Sequence, residues 1–157
     1  MSFQSKVNLV PAKGWHGDFA STNVRVSLLN NGYYQAGEEG ILAGSFVWVD
    51  EETNTVSNKG TGSPDGFVAR ELTGIPGQYL EEHSMKIPSG FMVSVFEKGE
   101  FLIMLPKEVS EVKRGDVVNV STSTGAVSLG GSKSVQTAYK YVASAKSGEI
   151  VAISAWI

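Results

Sequence analysis

The 157-residue chain carries 13 basic and 16 acidic residues, and a net charge of −3 without a cationic run leaves no track for a phosphate backbone, so nucleic acid is not an expected partner. Cysteine is absent, which removes disulfides and thiolate metal ligation and leaves packing or assembly as the source of stability. A hydrophobic fraction of 41%, an aromatic fraction of 10% and tryptophans at 15, 48 and 156 exclude wholesale disorder. Eighteen glycines, set between apolar runs, favour many short strands over few helices. No segment reaches the roughly 18 uninterrupted apolar residues of a membrane span, and residues 1–10 lack the apolar stretch of a secretion signal, so a soluble protein is expected.

From 1 to 44, Pro11, Gly14, Gly17, Gly32, Gly37 and Gly40 interrupt every element, and the segment reads as an extended N-terminal arm with short strand excursions. Residues 23–28 alternate weakly and fit a short strand before an Asn30-Asn31-Gly32 turn. Ser45-Phe46-Val47-Trp48-Val49 is apolar on both parities, which predicts a strand covered on both faces. Asp50, Glu51 and Glu52 end it, Thr55-Val56-Ser57-Asn58 returns antiparallel, and a polar loop precedes an extended Gly66-Phe67-Val68-Ala69-Arg70. Residues 79–87 mix helical spacing with alternation and fit either state, while Pro88 marks a strand end.

Phe91-Met92-Val93-Ser94-Val95-Phe96 and Phe101-Leu102-Ile103-Met104-Leu105, joined by Glu97-Lys98-Gly99-Glu100, predict a hairpin that anchors the core. Shorter strands follow at 117–120 and 126–129. Val135, Thr137, Tyr139 and Tyr141 then share one face of a strand, which marks that face for burial or contact. A last apolar strand is expected to run from 150 to 157. Eight or more short strands at this spacing predict an all-β domain over 45–157, a small antiparallel β-barrel or sandwich.

The polar residues do not assemble into a reacting group. His16 has Asp18 nearby and His83 has Glu81 and Glu82, but solvated polar residues in a charged segment account for both better than a proton-transfer pair does. No ligand spacing resembles a zinc or calcium loop, and Asp50-Glu51-Glu52 reads as a solvated turn that discourages edge pairing. Gly60-Thr61-Gly62 and Gly130-Gly131-Ser132-Lys133 lack the Gly-Lys-Ser/Thr and the helix of a phosphate loop, and no Gly-x-Ser-x-Gly elbow is present. Tyr139-Lys140-Tyr141 fits core and interface packing better than base stacking. No enzyme activity, metal or cofactor is expected.

Gly14-Trp15-His16-Gly17-Asp18-Phe19-Ala20-Ser21-Thr22-Asn23 is followed in order by Gly44-Ser45-Phe46-Val47-Trp48-Val49, Val56-Ser57-Asn58-Lys59-Gly60 and Pro64-Asp65-Gly66-Phe67-Val68-Ala69-Arg70-Glu71. With Ser84-Met85-Lys86-Ile87-Pro88-Ser89-Gly90, these blocks resemble the structural cement, or head decoration, proteins of tailed bacteriophages. The resemblance implies a protein made in the bacterial host cytoplasm that binds the outer surface of the capsid and reinforces contacts between subunits of the major capsid protein. It also implies a compact β domain and an N-terminal segment that engages the shell. A homo-oligomer on the capsid is expected, with dimer and trimer both open. Trp15 and Phe19 are the expected apolar anchors and Asp18, Asn23 and Arg25 the directional polar contacts. In the alternative arrangement Trp15 and Phe19 fold back over their own domain. Two other functions compete: a soluble β-rich module for a surface carbohydrate, and a hydrolase with His16 or His83 beside a carboxylate in a pocket.

Overall fold

The computed structural model describes residues 7, 9, 11–29, 32–70 and 85–157. In chain order its strands are β1 (Val26–Ser27), β2 (Tyr34–Ala36), β3 (Ile41–Leu42), β4 (Ser45–Asp50), β5 (Thr55–Ser57), β6 (Gly66–Val68), β7 (Lys86–Ile87) and β8 (Met92–Val93). They continue as β9 (Phe96–Lys98), β10 (Glu100–Met104), β11 (Glu111–Val112), β12 (Val117–Ser121), β13 (Ser134–Tyr141), β14 (Ala145–Lys146) and β15 (Ile150–Ser154). A seven-stranded sheet has the order β1-β9-β6-β4-β5-β2-β8, and a four-stranded sheet has the order β10-β15-β13-β12. Two small ladders, β11-β14 and β3-β7, complete the described architecture.

The all-β expectation holds, but the closed antiparallel barrel does not. Among the described residues neither large ladder returns to its starting strand, and β2 runs parallel to β5 with Gln35 opposite Thr55. The predicted hairpin is also replaced. β9 pairs with β1 and β6 in one sheet, whereas β10 pairs with β15 in the other. The chain changes sheet at buried Gly99, where an added Cβ would lie 2.8 Å from the Phe101 ring. The two apolar runs therefore lie in different sheets instead of pairing with each other, Val93 and Val95 buried in one cluster and Phe101, Ile103 and Leu105 in the other.

β4 accounts for how the sheets share their cores. Its alternation sends Phe46 and Trp48 into one cluster with Phe67, Phe101, Ile103, Val118, Tyr139 and Ile153. Val47 points the other way, to Ile41, Val56, Val68, Ile87, Val93 and Val95. A strand apolar on both parities is thus covered on both faces, as its sequence predicts. β5 returns antiparallel beside it, with Trp48 opposite Ser57.

The first cluster is aromatic. Phe67 stacks on Phe101 at 4.4 Å, while Phe46 meets Phe67 at 5.1 Å and Tyr139 at 5.3 Å, both edge to face. Such pairs contribute about 0.5–1.5 kcal/mol beyond their burial. The expected face of β13 is the buried one at its C-terminal half: Tyr139 and Tyr141 are both enclosed, and the Tyr139 hydroxyl donates to the Glu97 carbonyl at 3.1 Å. Burial raises both phenols, that of Tyr141 to about 12. Gly60 is required where it stands, because an added Cβ would lie 2.1 Å from Cγ of Trp48, whose indole N–H donates to Gly62.

Candidate functional site

The segment from Gly14 to Arg25 lies along the outer edge of β10. Gly17 N–H donates to the Leu102 carbonyl at 2.7 Å, Leu102 N–H to the Asp18 carbonyl at 2.8 Å and Ala20 N–H to the Glu100 carbonyl at 2.9 Å. Phe19 forms a bridge with Phe101. The segment so satisfies backbone groups that an uncovered edge strand would offer to any other chain. Gly17, at φ +88°, permits the approach: an added Cβ would be 3.1 Å from both Arg70 Cβ and Gly44 Cα.

The five residues singled out from the sequence all fall on this segment. Trp15 is 53% exposed, and its backbone N–H donates to Asp18 Oδ2 at 2.8 Å. Asp18 Oδ1 receives Arg70 Nε at 2.8 Å, an ion pair whose side chains are both about three-quarters covered. Burial pushes the Asp18 carboxyl up, but the Trp15 amide and the Arg70 guanidinium together outweigh it and hold the group below the ordinary carboxylate value. Phe19, 37% exposed, packs edge to face on Phe96 at 5.4 Å, and the Arg25 guanidinium covers its ring at 3.9 Å.

Asn23 does something more local. Its Nδ2 donates to Glu100 Oε2 at 2.9 Å, the Ser21 hydroxyl donates to the same oxygen, and Ser154 donates to Oε1 at 3.1 Å. The Ser21 bond leads the causes that lower the Glu100 carboxyl; burial opposes it, and Asn23 and Ser154 reinforce it. Glu100 therefore fastens the end of the segment to the four-stranded sheet.

Trp156 joins this surface, and sequence reasoning missed it. The strand expected to run to the last residue ends with β15 at Ser154, leaving Trp156 45% and Ile157 51% exposed. Lys98 Nζ lies 5.7 Å from the Trp156 ring, and Ala155 N–H donates to the Gly99 carbonyl. Around Gly99 and Glu100 the fold thus gathers Phe19 and Arg25 on one side and Lys98 and Trp156 on the other. The available signal was Trp156 itself, a large ring at a strand end whose inner neighbours Val151 and Ile153 already fill the core.

The arrangement has no reacting centre. His16 is held at Nδ1 by Met104 N–H at 2.9 Å, and both Asp18 oxygens are occupied, so these two residues do not form an acid–base pair. His83, Glu81 and Glu82 lie outside the described residues. Among the described residues no three metal-binding side chains converge, and the Asp50-Glu51-Glu52 turn is locally bonded through Asp50 Oδ1 and Glu52 N–H. A groove of about 340 Å³ between the sheets is lined by Leu28, Phe46, Asp65, Glu97, Thr137 and Tyr139 among others, with no histidine.

What the fold defines is an exposed aromatic and cationic edge on an all-β protein, with no converging group of metal-binding side chains among the described residues. The chain belongs to the XM1 gp53 minor capsid protein family, which it matches over residues 3–155. No curated protein matches it. Its fold is similar to that of a chain in the solved structure "The capsid of Myoviridae Phage XM1", with a TM-score of 0.65 over 99% of this chain and 98% of that chain at 14% identity. The expectation of a phage head protein holds at this level: the chain is a capsid-associated protein of the virion.

Proposed function

We propose that this protein is a structural cement of the phage head, binding the outer surface of the shell and bridging neighbouring subunits of the major capsid protein. The observation that carries the reading is the set of partly exposed rings presented around β10, Trp15 and Phe19 on the segment along its outer edge, with Arg25 over Phe19, and Trp156 beyond the end of the neighbouring β15 with Lys98 beside it. Tryptophan and arginine are the residue types that dominate contact energies, and a rigid backing keeps their ordering cost low. Asp18 and Asn23 serve this surface through Arg70 and Glu100, fixing the segment that presents the rings. In this reading residues 1–44 supply the attachment segment, at 14–25, together with β1 and β2, which join the strands of 45–157 in the scaffold, a sandwich of the two large sheets. Copies repeat as dimers or trimers at symmetry positions of the shell, where many moderate contacts add up to long residence.

The carbohydrate alternative gains from Trp15 standing next to Asp18, but both carboxylate oxygens already accept hydrogen bonds, which leaves the pair poorly equipped to hold sugar hydroxyls. The deciding experiment mixes the protein with undecorated heads and images the product. Ordered density at repeated exterior positions is expected, with a Trp15→Ala, Trp156→Ala double variant binding about 100-fold more weakly while its thermal midpoint stays close to wild type. Saturable glycan binding without any coating of heads overturns the proposal.

A further inference from the structure

The geometry points to a pH-sensitive latch in which a neutral His16 clamps residues 14–20 onto β10 and protonation of its Nδ1 releases them. His16 sits between the covering segment and the domain. Its Nδ1 accepts Met104 N–H at 2.9 Å, two residues beyond Leu102, the last residue of β10 that the three backbone bonds engage. Because Nδ1 is an acceptor here, the ring proton of the neutral form resides on Nε2. The Nε2 edge lies against Gly44: an added Cβ at Gly44 would be 2.7 Å from both Cδ2 and Nε2, and φ of +74° reserves the position for glycine. The imidazole hydrogen-bonds the Gly44 backbone. One ring thus ties the segment to two separate parts of the domain, and the Met104 tie exists only in the neutral species, whereas the Nε2–H bond to Gly44 persists in the cation.

Adding a proton at Nδ1 converts the acceptor into a donor facing the Met104 N–H, and no rotation of a ring wedged against Gly44 restores the bond. The domain side brings Gly44 and Met104 to the ring, with the Met85 methyl beside Gly44, all uncharged, and Lys86 next to Met85 is exposed. The charged groups of the adjoining turn, Asp18 and Arg70, are engaged with each other. Burial disfavours the charged imidazole and outweighs the Gly44 bond, so the folded protein titrates below the ordinary histidine value. The sign follows: the clamp is complete above about pH 6.5, where folded and unfolded states are both neutral, and is lost as pH falls through the lower folded value. Since Trp15 and Phe19 flank His16, the latch also sets whether the proposed attachment surface exists, a consequence that rests on the cement reading.

The test is amide exchange by NMR on the intact protein between pH 7.5 and 5.0, after correction for the intrinsic pH dependence. Gly17, Leu102 and Met104 are expected to lose about tenfold protection as one group, while Phe67 and Ile153 in the core stay protected. A His83→Gln variant, which leaves His16 as the sole histidine, should show the same step coincident with titration of the remaining imidazole. His16→Gln, whose side-chain oxygen accepts the same amide without titrating, should abolish the step. Protection at these amides that is unchanged with pH in wild type, or that falls equally in His16→Gln, overturns the latch. Should His16→Gln not fold, the His83→Gln titration decides alone. Binding to undecorated heads at the two pH values separates the readings: an acid step in exchange without loss of binding sinks the attachment surface and keeps the latch, and loss of binding without the step does the reverse.

Discussion

The two apolar clusters share β4 and β6 as a common wall and are otherwise built from different materials. On one side Phe46, Phe67, Phe101 and Tyr139 interlock between two sheets. On the other, Val47 and Val68 meet Tyr34, Ile41, Val56, Ile87 and Val93 from two- and three-residue strands, with Tyr34 the one aromatic residue of that group. The difference teaches where rigidity is needed. The aromatic cluster backs β10, and through Phe19, Phe96 and Phe101 it supports the exposed edge directly. The aliphatic cluster secures short segments that carry no part of that edge.

Phe101→Ala should therefore be the most damaging single truncation. It removes a fully buried ring that stacks on Phe67 and touches Phe19, Phe96 and Tyr139. A loss of about 3–5 kcal/mol in urea unfolding is expected. Because Phe19 loses its support, binding to heads should weaken as well. Ile41→Ala, the matching cut in the aliphatic cluster, should cost about 2–4 kcal/mol and leave head binding nearly intact at temperatures where the variant is folded. The contrast fails if Ile41→Ala impairs binding as strongly as Phe101→Ala. A single transition in both variants would show that the shared wall makes the clusters one cooperative unit, whereas two transitions in Ile41→Ala would separate them.

Gly60→Ala sharpens the comparison from outside the clusters. The new methyl meets the Trp48 ring head on, and Trp48 belongs to the aromatic cluster. Displacing that ring should destabilise by about 1–3 kcal/mol and shift tryptophan emission. Unchanged emission and stability would mean that this side of the aromatic cluster yields easily.

How much of this was legible in the sequence follows from the range of each interaction. Alternation within β4 and within β13 announced their faces correctly, because side-chain direction along a strand is set by the strand itself. The pairing of strands was less accessible. Two apolar runs with a polar tip read as a hairpin, yet buried Gly99 passes the chain to the other sheet, and the parallel β2–β5 contact has no local signature. Trp15, Phe19 and Arg25 were recognisable by type, but their settings depend on Phe96, Phe101 and Arg70, and the ion pair joins positions 52 residues apart. The sequence reading named none of these partners: Phe19 packs on Phe96 and Phe101, while Trp15 stays exposed.

The smallest effect separates the two ways in which acid acts on the segment. Asp18 and Glu100 both have lowered carboxyl values in the folded protein, so the stability they contribute is present above about pH 4 and is lost as pH falls through their folded values. Asp18→Asn keeps an oxygen for the Trp15 amide but removes the charge facing Arg70. Since that pair is partly solvated, the substitution should cost less than about 1 kcal/mol at neutral pH and flatten the acid limb of stability below pH 4. The exchange step assigned to His16 lies in a higher window and should survive the substitution unchanged. If Asp18→Asn erased that step instead, the carboxylate and not the imidazole would be holding the segment on β10, and the division of labour between the two residues would have to be reversed.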